Sequence, residues 1–88
     1  MRTIKELLEL MLENQQYFKS GLYDWALDLY FEDIITPFER RRLTDYICSN
    51  KPTFFESPFY YIFGCYYWKI GDIKPRLKWI EKHIKLNS

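Results

Sequence analysis

One histidine, two cysteines and a row of three carboxylates are the residues of this 88-residue chain that could do covalent or acid–base chemistry. His83 stands in a lysine-rich segment. The carboxylate beside it, Glu81, is two positions away and points elsewhere on a helix, so nothing orients the ring as a general base. Cys48 and Cys65 form no CxxC pair and have no histidine at ligand spacing, so they carry no zinc motif. Either thiol would act as a nucleophile only with a depressed pKa. Asp24, Asp28 and Glu32 recur every four residues. Carboxylates forced together could hold a metal or move protons; spaced along a free helix they make a solvated face, which is the reading adopted. There is no glycine-rich phosphate loop, GxSxG, HExxH or EF-hand loop. The expectation is a protein that is not an enzyme and uses no cofactor or metal.

Binding chemistry is better supplied. Aromatics interleave with cations through the C-terminal half: Tyr60, Tyr61, Tyr66 and Tyr67, then Lys74, Arg76, Lys78, Trp79 and Lys82. Rings stack on bases and cations hold phosphates, so this mixture suits single-stranded nucleic acid. The same residue types dominate protein–protein hot spots. Salt separates the two, because phosphate binding weakens steeply as salt rises. Arg40, Arg41 and Arg42 fan over about 200° of a helix and cannot form one clamp. Arg41 is assigned to the partner-facing set. The ordinary role of such a run is pairing with the acidic second helix, at about 0–1 kcal/mol per surface pair.

The elements that must position these residues read as helices. Thr3-Ile4-Lys5-Glu6 is a capping box that opens a helix over about residues 4–18, with Ile4, Leu7, Leu8, Met11 and Phe18 on one face. Gln15 falls inside that face, so it needs a backbone partner or a place at a helix end near water. Ser20-Gly21 is a stop. A second helix over 22–32 turns Leu22, Trp25, Ala26 and Leu29 inward. Thr36-Pro37-Phe38-Glu39 repeats the start signal, and the third helix runs to about Ser49 with Phe38, Leu43, Tyr46 and Ile47 inward. Ser57-Pro58 opens a short helix to about Trp68, although the β-favouring aromatics leave a strand open for 58–69. The last helix, Asp72 to Leu86, has Ile73, Leu77, Ile80 and Ile84 as its core face and Lys74, Lys78, Lys82 and Lys85 outside. Trp79, His83 and Leu86 form a second stripe, read first as a cover for the aromatic belt.

That belt, Phe54 to Gly71, holds nine of the chain's eighteen aromatic residues. Phe54, Phe55, Phe59, Ile62, Phe63 and Trp68 read as core filling, with Gly64 and Cys65 as small fillers. The tyrosine pairs 60–61 and 66–67 read as a rim, since neighbours on a helix cannot all face inward. The fold expected is all-α, a compact bundle of four to five short helices with an aromatic-rich core, as one domain over 1–88. A chain of this size buries about 60–65% of its unfolded surface. The net charge is +1, but residues 1–39 sum to −5 and residues 40–88 to +6 on the same sequence. Such asymmetry either marks an interaction face or draws the halves together within the fold. No apolar run approaches the ~18 residues of a membrane span. The chain enters a capped helix directly, without a signal peptide, so a cytoplasmic protein with reduced thiols is expected.

The segment from Tyr67-Trp68 through Gly71 to Arg76-Leu77-Lys78-Trp79-Ile80 and on to Ile84 resembles the C-terminal signature of small accessory proteins of tailed bacteriophages. Their pattern is an aromatic pair, a glycine, then Arg, apolar, any residue, Trp, apolar. Gly21-Leu22 through Leu29-Tyr30 and Ile34-Ile35-Thr36 are also similar to theirs, so the resemblance covers most of the chain. It carries no catalytic residues. It implies a phage or prophage origin in an AT-rich host and a class whose compact members often inhibit host systems stoichiometrically, anti-CRISPR proteins among them. The function it implies is a non-enzymatic inhibitor of an RNA-guided nuclease or its guide RNA, acting in the host cytoplasm. Two rivals stand beside it: a structural or regulatory phage protein that self-associates as a homodimer, and a sponge for a nucleotide messenger. The partners expected are a host protein, with RNA and a second copy admitted, and no membrane.

Overall fold

The computed structural model describes residues 1–17, 22–50 and 74–88, with side chains from residue 76 in the last segment. They form a small all-α bundle: α1 (Ile4–Glu13) followed by a 3₁₀ turn (Gln15–Tyr17), α2 (Leu22–Phe31), α3 (Pro37–Ser49) and α4 (Lys74–Leu86). No strand occurs among the described residues. The sites assigned to 51–73, including the helix at 58–68 and the whole aromatic belt, lie outside them.

α1 and α3 are opened by the same device. The Thr3 hydroxyl accepts from the Glu6 amide at 3.2 Å, and Glu6 Oε1 accepts from the Thr3 amide at 3.0 Å. Thr36 and Glu39 repeat both bonds, at 3.1 and 2.9 Å. Two of the orphan amides at each helix start are thereby satisfied. The two helices also close alike. Asn14 and Asn50 turn their own amide groups back to the carbonyls of Leu10 and Tyr46, at 2.7 and 2.8 Å. Asparagine competes with the helical ladder in this way, so α1 ends at Glu13 rather than near residue 18. Gln15 then stands at a helix end in solvent, its amide donating to the Leu12 carbonyl at 3.1 Å.

The core gathers Leu7, Leu8 and Met11 from α1 with Leu22, Trp25, Ala26 and Leu29 from α2. Ile35, Leu43 and Ile47 join from the α2–α3 connection and α3, and Trp79 and Ile80 from α4. α1 lies against α4 and α3, and α2 against α3. This described core is aliphatic with two tryptophans, not aromatic-rich. Each indole N–H finds a backbone acceptor: Trp25 donates to the Asn14 carbonyl and Trp79 to the Asn50 carbonyl, both at 2.9 Å. A buried indole needs such a partner, and here the partner is the residue that ends a helix.

One inward assignment changes. Phe38 is 59% exposed, and Glu39 takes the inward position at 2%. The cap sets this: Glu39, Leu43 and Ile47 share one face, and Phe38 is rotated about 100° from it. A buried carboxylate must be paired, and Glu39 is. Its Oε1 accepts from the Arg2 guanidinium at 3.0 Å and its Oε2 from the Arg2 amide at 3.1 Å. The Thr36 amide bond chiefly holds the Glu39 carboxyl below the usual carboxylate range; burial opposes it, and the Arg2 amide and charge assist. The arginine run does not seek the α2 carboxylates. Arg40 reaches α2 over the Tyr30 ring, 5.5 Å from its centroid, and Arg42 donates to the Arg2 carbonyl at 2.8 Å.

Trp25→Ala should cost about 3–5 kcal/mol in denaturant unfolding, since it removes a fully buried ring; a variant as stable as the parent would show that the ring does not carry this junction. Glu39 binds its proton more weakly folded than unfolded, so its stabilisation is complete above the ordinary value of 4.5 and is lost as the pH falls through the lower folded value. Glu39→Gln should therefore be less stable at neutral pH and flatter in its loss of stability below 4.5. Parallel melting curves against pH would refute this.

Candidate interaction surfaces

α4 presents one buried and one basic side. Lys78, Lys82 and Lys85 recur at i, i+4 and i+7, one stripe of a 3.6-residue helix, and all three are exposed. With Glu81 and Leu86 they line an open groove of about 490 Å³. Cations toward the end of a helix also suit its dipole. Lys78, Lys82 and Leu86 are thus exposed to solvent along this side of α4.

Other members of that set are placed differently. Trp79 is 2% exposed and Arg76 is fully buried, so neither belongs to a free surface. Both lie on the stripe 76, 79, 80, 83 that faces the bundle, and the Trp79 bond to Asn50 holds that rotation. The second stripe of the last helix is therefore core, except for exposed Leu86. Arg41 is exposed on α3, away from the groove of α4. The Lys74 side chain and Tyr60, Tyr61, Tyr66 and Tyr67 lie outside the described residues.

His83 is tied into packing. Its ring lies 4.2 Å from Trp79 at 33° and edge-on to Tyr46 at 5.4 Å. Nδ1 stands 2.7 Å from the Tyr46 hydroxyl, which also receives the Asn87 amide at 2.9 Å. An amide NH₂ can only donate, so the Tyr46 hydroxyl accepts from Asn87 while it shares a second hydrogen bond with His83 Nδ1. Asn87 also donates to the His83 carbonyl at 2.7 Å. The arrangement fastens α3 to α4. Cys48 is exposed; of the acidic row, Glu32 is exposed as expected, while Asp24 and Asp28 are half-buried. Among the described residues no group of three or more His, Cys, Asp or Glu could hold a metal ion.

The surface that sequence reasoning missed is the α2–α3 corner. Phe31 is 67% exposed, and its ring lies 5.5 Å from that of Tyr30. Exposed Phe38 stands across the connection. Beside Phe31 an open groove of about 670 Å³ is lined by Arg2, Tyr30, Ile34, Thr36 and Pro37, among others. The connection is a Schellman turn: the Ile34 amide reaches the Leu29 carbonyl at 2.9 Å and the Asp33 amide the Tyr30 carbonyl at 3.0 Å. Asp33 occupies the left-handed position at φ 59°, where glycine is usual. Aspartate is among the residues that tolerate it, so no glycine announced the turn. The legible signal was Glu39, whose cap role places Phe38 outside.

No protein-family model matches the chain, and no curated protein or solved structure matches it. Among the described residues no helix is long and apolar enough to cross a membrane.

Tyr46→Phe should cost about 1–3 kcal/mol, because it strips a partner from both the His83 ring and the Asn87 amide. Chemical denaturation checks this; an unchanged midpoint would mean the triad contributes nothing net.

Proposed function

We propose that the chain is a non-enzymatic binding protein of bacteriophage type that inhibits a host defence nuclease, acting on an RNA-guided enzyme or its guide RNA. The observation that carries this reading is the exposed Lys78–Lys82–Lys85 stripe beside Leu86. Such a stripe offers positive charges along one line to a phosphate backbone or to an acidic protein surface, and it needs no enclosed pocket. The resemblance of the chain's ending to phage accessory proteins supplies the host context, and inhibition by occupancy needs no catalytic group.

Capture from a host lysate on immobilised protein tests the reading, with an RNA-guided nuclease as the expected catch. A catch limited to further copies of the chain would favour a self-associating regulatory protein, and a co-purifying nucleotide would favour a sponge. Lys78→Glu with Lys82→Glu should weaken partner binding about tenfold or more, at about 1.4 kcal/mol for each factor of ten. Both side chains are exposed, so the melting temperature should hardly move. If guide RNA is the ligand, log K should fall with log salt at a slope of about −0.7 per phosphate neutralised. Unaltered binding by the double variant would remove this face from the interface.

A further inference from the structure

We infer that the α2–α3 corner is the contact surface for a second copy of this chain, packed about a two-fold axis with Phe31 of each copy against Phe38 of the other. Two large rings project into solvent from the two ends of one short connection, 67% and 59% exposed. Scattered apolar residues on a surface need no explanation, but two exposed rings at the ends of one short connection, one of them lining a groove, mark a contact site. The connection beneath them is fixed. Its Schellman bonds close α2 and the Thr36–Glu39 box opens α3. Ile35 is buried under it. The rings are thus presented on a rigid frame, which lowers the ordering cost of association.

Charge selects the occupant. Exposed Glu32 and Asp33 follow Phe31 at the end of α2, and exposed Arg41 lies three residues after Phe38, on the same side of α3. The corner therefore carries acid beside one ring and base beside the other. A two-fold contact must be self-complementary, since each patch meets its own counterpart. Stacking Phe31 on Phe38 of a second copy brings Glu32 and Asp33 toward Arg41 of that copy, and the reverse. The helix dipoles agree, because the negative end of α2 then meets the positive start of α3 in the other copy. A strongly acidic or strongly basic partner would be repelled by one half of the same patch.

Sedimentation equilibrium of the intact chain tests this. The parent should be a dimer at micromolar concentration, with a melting temperature that rises with concentration. Phe31→Glu and Phe38→Glu should each weaken self-association roughly thirtyfold or more, as loss of a central aromatic anchor does. Far-UV circular dichroism should stay unchanged, since both rings are exposed. Arg41→Glu alone and Glu32→Arg alone should each weaken the dimer, and combining them should restore it. A parent that remains monomeric throughout, a dimer indifferent to both phenylalanine changes, or a charge-swapped double variant no better than its singles would each overturn the inference. Lys78→Glu with Lys82→Glu should leave the dimer intact, which keeps this result separate from that for the α4 face.

Discussion

The bundle depends on two indole N–H groups placed on two helix-ending carbonyls. Asn14 and Asn50 stop α1 and α3 by turning their side chains into the helix. Each leaves its backbone carbonyl directed into the interior, where an unpaired acceptor would cost about 1–3 kcal/mol. Trp25 of α2 and Trp79 of α4 take those carbonyls at the same length, 2.9 Å. A ring that fills the core and also satisfies the end of a neighbouring helix fixes two things at once: where that helix stops, and how its own helix is rotated. The rotation of α4 decides which residues can meet a partner. With Trp79 turned inward, Arg76, Ile80 and His83 follow it, and the lysines at 78, 82 and 85 are turned out. The candidate binding stripe is a consequence of a hydrogen bond on the opposite side of the helix.

Electrostatics divides along the same lines. The ion pair between Arg2 and Glu39 joins residues of one half of the chain, so it does not use the charge asymmetry between halves. It is a pinning contact. Glu39 is already committed to the cap of α3, and its second oxygen and remaining lone pairs hold the backbone and side chain of Arg2. Arg42 then takes the Arg2 carbonyl. One buried carboxylate thus ties the segment before α1 to the start of α3. Removing any one member leaves buried polar groups exposed to the cost of an unmet bond. Lys78, Lys82 and Lys85 of α4 are exposed.

Helix starts were legible in the sequence, because Thr-x-x-Glu has one local solution and the structure adopts it at both Thr3 and Thr36. Inward faces were legible where aliphatic residues set the period, as at Leu7, Leu8 and Met11 or Leu22, Trp25, Ala26 and Leu29. Reading failed where one residue type had two physical roles. Phe38 fits an apolar stripe, but the cap turns Glu39 inward and leaves Phe38 outside. Trp79 and Arg76 fit an interface composition, but burial and an indole bond decide their placement, and neither is visible in spacing. Asparagine stops and the Asp33 turn lacked the glycine that advertises a helix end. The aromatic belt, where the chain concentrates its rings, falls outside the described residues.

The two candidate surfaces differ in what they need from the fold. The α4 stripe needs only a helix of fixed rotation, and its cations act at a distance set by salt. The α2–α3 corner needs a rigid connection, because rings add to affinity only when their frame does not have to be ordered first. That connection is held by backbone bonds at Ile34 and Asp33 and by the Thr36–Glu39 box, and the box is itself anchored by Arg2. The pinning of Arg2 to Glu39 is therefore coupled to the corner as well as to the core. A chain this small has little spare stability, so a contact that sets the core, the N-terminal segment and an exposed aromatic pair together places one constraint on all three. The lysine stripe, fixed from the other end of the molecule by Trp79, can vary without disturbing them.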